Sequence, residues 1–264
     1  MSTIQDYRLL TRHQDRYEQA LRKRGEVQRA IAHFEANIGK ITSTEALLKD
    51  DRTYRFVMEA FDLGSQIYAR GLIRKVLNEG VTDPKATANR MNDSKFKELA
   101  TVLGFAETGG ANLKEPTVVK AIVDRFIKVK LEVSAEETNP AVRLALYFQR
   151  RAPGITNWYQ VLADQPLQKV VFTALGLPDQ AAMQNIDKLK DTLAKKFDIA
   201  DFKDPAKVRA FLDRFSVMHD LRNGPSSAAG TGLPYIGPLQ RGGRAPIIAI
   251  DPSITASLLN FPRF

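Results

Sequence analysis

One stretch of this chain occurs twice. Residues 115–126 return as 204–215, with the acid–proline pairs Glu115-Pro116 and Asp204-Pro205, the triplets Val119-Lys120-Ala121 and Val208-Arg209-Ala210, and the endings Asp124-Arg125-Phe126 and Asp213-Arg214-Phe215 in register. An acid before proline is a helix opening: the carboxylate accepts orphan backbone N–H groups, and proline occupies N1, where no donor is needed. Val119, Ile122, Val123 and Phe126 then fall at i, i+3, i+4 and i+7, as do Val208, Phe211, Leu212 and Phe215. Each copy therefore predicts a helix with one buried face.

A second element precedes each copy. Asp93 to Phe105 matches Asp164 to Leu177 after a one-residue gap, with helically spaced apolar residues and a closing glycine, Gly104 or Gly176. Asp51 to Leu63 reads as a degenerate third relative in which Asp62 stands at the glycine position. The expected fold is all-α: a multi-helix body over 42–221, with an internally duplicated unit at about 91–132 and 162–219 and the longer insert in the second copy. Such units bury their faces against one another.

Residues 1–41 predict one long amphipathic helix, or two joined near Gly25. Leu10, Tyr17, Leu21, Ile31 and Phe34 lie on its apolar stripe and are the candidate contacts for a partner. Gln14, Arg24 and Gln28 interrupt that stripe, which argues against a sustained coiled coil. At the other end, residues 222–264 read as a tail. Its Gly-, Pro- and Ser-rich first half cannot bury enough surface to order itself alone. An apolar motif with Ile248, Leu258 and Phe261 follows, suited to a partner or to docking on the body.

Composition narrows the chemistry. The net charge of +9 divides evenly, +3 each over residues 1–40, 41–221 and 222–264, so no basic stripe marks a nucleic-acid footprint. Cysteine is absent, which removes disulfides, thiolate metal sites and cysteine nucleophiles. His13, His33 and His219 are scattered, no Gly-x-Ser-x-Gly elbow occurs, and Gly109-Gly110 lacks the strand and Gly-Lys-Ser/Thr ending of a phosphate loop. No cofactor, metal or catalytic residue is expected. The repeated Asp124-Arg125 and Asp213-Arg214 read as boundary side chains that cap or pair with neighbouring helices. There is neither a membrane-length apolar run nor a signal-peptide core, so the chain is expected in the cytosol or delivered by a route without a cleavable signal.

Several ordered segments carry a resemblance. Asp50-Asp51-Arg52 through Phe61, Leu72 to Leu77, Asp83-Pro84, Leu103-Gly104-Phe105, Asn139 to Phe148, Leu162-Ala163-Asp164, Ala174 to Pro178 and Arg214-Phe215 resemble an alphaproteobacterial domain-of-unknown-function family whose genes tend to lie in flagellar clusters. The resemblance covers about residues 42–221 and supplies no catalytic residues. It implies a protein partner in the flagellum, and with the residue reading it predicts a non-enzymatic helical scaffold or adaptor. Two other classes stay open: a basic nucleic-acid-binding regulator, and an enzyme whose pocket gathers Trp158, Arg150 and the Asp–Arg pairs from distant helices.

Overall fold

The computed structural model describes residues 2–91 and 93–224. Among them every regular element is helical, as the spacing predicts, and no strand occurs. The tail beyond Gly224, with Ile248, Leu258 and Phe261, lies outside the described residues.

The chain opens with α1 (Thr3–Arg12), α2 (Gln14–Arg22) and α3 (Gly25–Asn37). The break near Gly25 is present, with Arg24 extended, but a further break falls at His13, so the expected one or two helices are three. Packing explains the division, because Tyr7 of α1 is buried in one core while Val27 and Phe34 of α3 are buried in another. A 3-10 turn (Ile38–Lys40) leads to α4 (Thr44–Lys49), α5 (Asp51–Ala60) and α6 (Arg70–Glu79). The short α7 (Thr87–Arg90), α8 (Ser94–Leu103) and α9 (Phe105–Thr108) follow, then the long α10 (Pro116–Thr138). After Asn139 come α11 (Pro140–Arg151), α12 (Trp158–Ala163), α13 (Gln165–Ala174), α14 (Ile186–Lys196) and α15 (Pro205–Asn223).

The duplication is larger than the recurring stretch. In each half a helix (α3 or α11) ends in a 3-10 turn and leads to a six-residue helix (α4 or α12). That helix abuts a longer one (α5 or α13), and a later 3-10 turn enters the proline-initiated helix (α10 or α15). The caps repeat with it. Ser43 and Asn157 accept from the amides of Ala46 and Gln160, and Asp50 and Asp164 accept from those of Thr53 and Leu167. Phe34 and Phe148 hold matching places on α3 and α11, and Leu113 and Phe202 stand three residues before the two prolines; all four are fully buried.

This pairing corrects the expected alignment. The counterpart of α13 is α5, which packs on α10 as α13 packs on α15; α8 lies against α6 and α7 instead. The insert therefore sits in the first copy, as α7 to α9, and α14 is the counterpart of α6. Asp62 hid the match. It adopts φ +56° where Gly176 has +72°, and the next amide returns to the helix identically, Leu63 to Met58 O and Leu177 to Phe172 O, both at 2.8 Å. A short aspartate tolerates this left-handed position better than most side chains.

Each module has its own core. In the first, Phe34, Phe56 and Phe126 stack with centroids 4.3 and 4.1 Å apart. In the second, Phe148 packs against Phe202 and Phe211 at 5.1 and 5.4 Å, with Trp158 edge-on to Phe202. α10 belongs to both: Ile122 to Ile127 enter the first core and Ala135 the second. Phe126→Ala and Phe215→Ala should each cost about 3–5 kcal/mol in urea unfolding, through lost burial and the cavity left behind. Arg214, exposed on the same turn as Phe215, should tolerate alanine within about 0.5 kcal/mol.

Candidate functional site

The residues that end α11 and begin α8 meet between the modules. Arg150 and Arg151 close α11, where cations suit the helix dipole, and Asp93 caps α8 one turn before Glu98. A cleft of about 560 Å³ results, lined by Ser94 and Glu98 of α8, Arg125 of α10, the two arginines of α11, and Asp164 at the head of α13.

Its arginines are engaged with carboxylates of the chain, while Lys128 on the lining is exposed and makes no ion pair among the described residues. Arg125 donates to Glu98 Oε2 at 2.5 Å, and its guanidinium lies 4.7 Å over the Phe61 ring. Arg151 donates to the other carboxylate oxygen and to the Ser94 hydroxyl. Burial pushes the Glu98 carboxyl up, but Arg151 and Arg125 together outweigh it and hold it below the usual range. One layer deeper, Arg150 grips Glu132 with two N–H bonds, Nε to Oε1 at 2.5 Å and Nη2 to Oε2 at 2.9 Å. Glu132 is only 6% exposed, and burial lifts its carboxyl against the pull of Arg150. Tyr147 donates its hydroxyl to Asp164; burial and that carboxylate raise the phenol, so it keeps its proton. Lys95 completes the set, 3.4 Å from Asp62 and 3.5 Å from Asp93.

Of the residues singled out from sequence, Arg150, Asp124 and Arg125 line this cleft, whereas Asp213 and Arg214 do not. Trp158 is buried in the second core and does not line it. Asp124 accepts from Arg22 and Lys120 at 2.5 and 2.7 Å, while Asp213 accepts from Arg8. The two Asp–Arg pairs thus bond neighbouring helices and do not converge on a common point. Of the proposed partner contacts, Leu21 and Phe34 are buried in the body and give no surface to a partner. Leu10 and Ile31 are half-buried against the two cores, and Tyr17 is exposed. Glu98, Arg8 and Arg22 were not legible as site residues: Arg8 meets its aspartate across 205 positions and Arg22 across 102, with no local pattern to announce either.

The arrangement defines a class: an all-α protein of two related modules, locked by ion pairs across the cleft between them. The chain belongs to the family described as protein of unknown function DUF1217, whose profile matches residues 60–208. It is similar to a protein of Agrobacterium tumefaciens solved by X-ray crystallography, at 32% identity over 84% of this chain and 97% of that one, with a TM-score of 0.78. No curated protein matches it.

Glu132→Ala leaves Arg150 charged and without its buried partner, and should cost about 3–5 kcal/mol in urea unfolding. The Glu98 carboxyl is lower in the folded than in the unfolded chain, so the unfolded chain binds the proton more readily and stability rises with pH across the interval. Its contribution is complete above the ordinary glutamate value of about 4.3 and is lost as pH falls through the depressed folded value. Urea melts of the wild type and Glu98→Gln should therefore differ at neutral pH and converge on acidification.

Proposed function

We propose that the chain is a non-enzymatic helical scaffold that works through protein–protein contacts, and that its setting is the bacterial flagellum. The observation that carries the first part is the ion network of the cleft, in which Arg125, Arg150 and Arg151 each bond a carboxylate of the chain itself. Groups committed in this way hold two modules in register and do not await a substrate. The outer surface supports the same reading, because Tyr17, Tyr159, Met183 and Ile186 are exposed away from either core, Met183 at 89%. The flagellar setting is supported by the resemblance of residues 42–221 to a family encoded in flagellar clusters.

Deleting the gene should impair swimming, and electron microscopy of the mutant would separate lost assembly from lost rotation. An affinity-tagged full chain should retain a flagellar component from motile cells. Normal swimming and normal filaments in the mutant, with no flagellar protein retained, would overturn the proposal.

A further inference from the structure

A second cleft, of about 590 Å³, lies where α1 crosses the start of α15. Its floor is apolar and closed: Tyr7, Phe202 and Val208 are all buried. Its rim is cationic. Arg8, Arg12, Lys203 and Arg209 stand around it, and Asp213 is the single carboxylate on the lining. Arg8 takes both oxygens of that carboxylate, Nε to Oδ1 at 3.2 Å and Nη2 to Oδ2 at 2.9 Å. Arg12, Lys203 and Arg209 make no ion pair among the described residues. Asp204, at the head of α15, accepts from the amides of Ala206 and Lys207, and Asp201 is paired with Lys207.

The first module shows what a neutralised version looks like. There Asp124 serves two cations, Arg22 at 2.5 Å and Lys120 at 2.7 Å. Lys120 is the counterpart of Arg209 and Arg22 holds the place of Arg8. In the second module Arg8 occupies the whole carboxylate, so Arg209 is left without an acid, beside two further cations in the same position. The duplication thus separates what the helix needs from what the cleft adds.

We infer that this cleft takes a short acidic segment of a partner protein, its carboxylates on Arg12, Arg209 and Lys203 and its apolar side chains on the exposed prolines Pro153 and Pro205. The inference rests on the scaffold reading and names the chemistry of one contact. Arginine guanidinium groups match carboxylates in a planar, two-point fashion. A nucleic acid would need a stripe of cations following successive phosphates, whereas the unpaired charges here are gathered in one small cleft with an apolar floor. The chain's own last 43 residues are unsuited, since they carry four basic side chains and one acidic.

The test is fluorescence anisotropy of the full chain with a fluorescein-labelled Glu/Leu peptide, with single-stranded DNA and inorganic phosphate as competitors. The double variant Arg12→Glu, Arg209→Glu should weaken peptide binding by at least about tenfold. Lys195→Glu, Lys196→Glu changes the same charge on the exposed face of α14 and should leave binding unaltered. Thermal unfolding of both variants should match the wild type. No peptide binding by the wild type at low salt, equal weakening by both variants, or displacement by DNA more readily than by unlabelled peptide would each overturn the inference. So would a dimer in solution that the cleft variant abolishes, since that assigns the cleft to a second copy. A cleft variant that still retains the flagellar component overturns this inference alone, whereas a wild type that retains none removes the scaffold reading.

Discussion

Glu98 holds the two halves of the molecule in one relation. Its carboxylate receives Arg125 from the last helix of the first module and Arg151 from the first helix of the second, and it is carried by α8, which belongs to neither repeated set. Taking such groups out of water is costly, so the arrangement stands only because each charge meets an opposite one and Ser94 fills a remaining guanidinium donor. Hydrophobic burial alone would leave the relation looser. α10 carries side chains into both cores, and apolar contact along one helix permits sliding that a shared carboxylate does not.

The insert that supplies Glu98 also explains how the copies diverged. Arg125 and Arg214 began equivalent; the first found Glu98 and the Phe61 ring, the second has no α8 beside it and stands in solvent. The same logic runs along α6 and α14. Where α7 to α9 cover α6, Val76 is fully buried; at the corresponding turn of the uncovered α14, Thr192 is only partly buried and returns its hydroxyl to Lys188 O. Leu72 and Lys188 differ in the same sense. Each copy has adjusted its outward chemistry to whether something lies on it.

Much of this was legible because local chemistry repeats. Proline at N1, aspartate caps and the i, i+3, i+4, i+7 stripe are decided within one helix, and the sequence showed where α10 and α15 begin without reference to anything distant, although α10 runs on to Thr138, past the expected end near 132. Register between the copies was less legible. α8 carries the same cap, stripe and closing glycine as α13, a signature available to any short amphipathic helix, while the true counterpart α5 had exchanged glycine for Asp62. The ion network was hidden for another reason: Arg150-Arg151 is explained by the helix dipole alone, so nothing local required Glu132 or Glu98 as partners. Leu21 and Phe34 misled because an apolar stripe states that a face is covered without stating by what.

Docking of α1 builds the cationic cleft. Thr3 donates its amide and hydroxyl to Asp220 at 2.8 and 2.5 Å, and Asn139, at the joint of α10 and α11, donates to Thr3 Oγ1 and Asp6, each at 3.2 Å. Asn139 also caps α11 through the amide of Ala141, so one side chain fixes the bend of the spine and the N-terminal helix together. Tyr7 adds a bond to Gln149 from within the second core. The first helix is therefore a wall of the second module and not a free arm. Arg8 and Arg12 face the start of α15 only while it is held there, which makes the cationic cleft a product of tertiary structure. An isolated peptide of residues 1–41 would carry the same charges without gathering them.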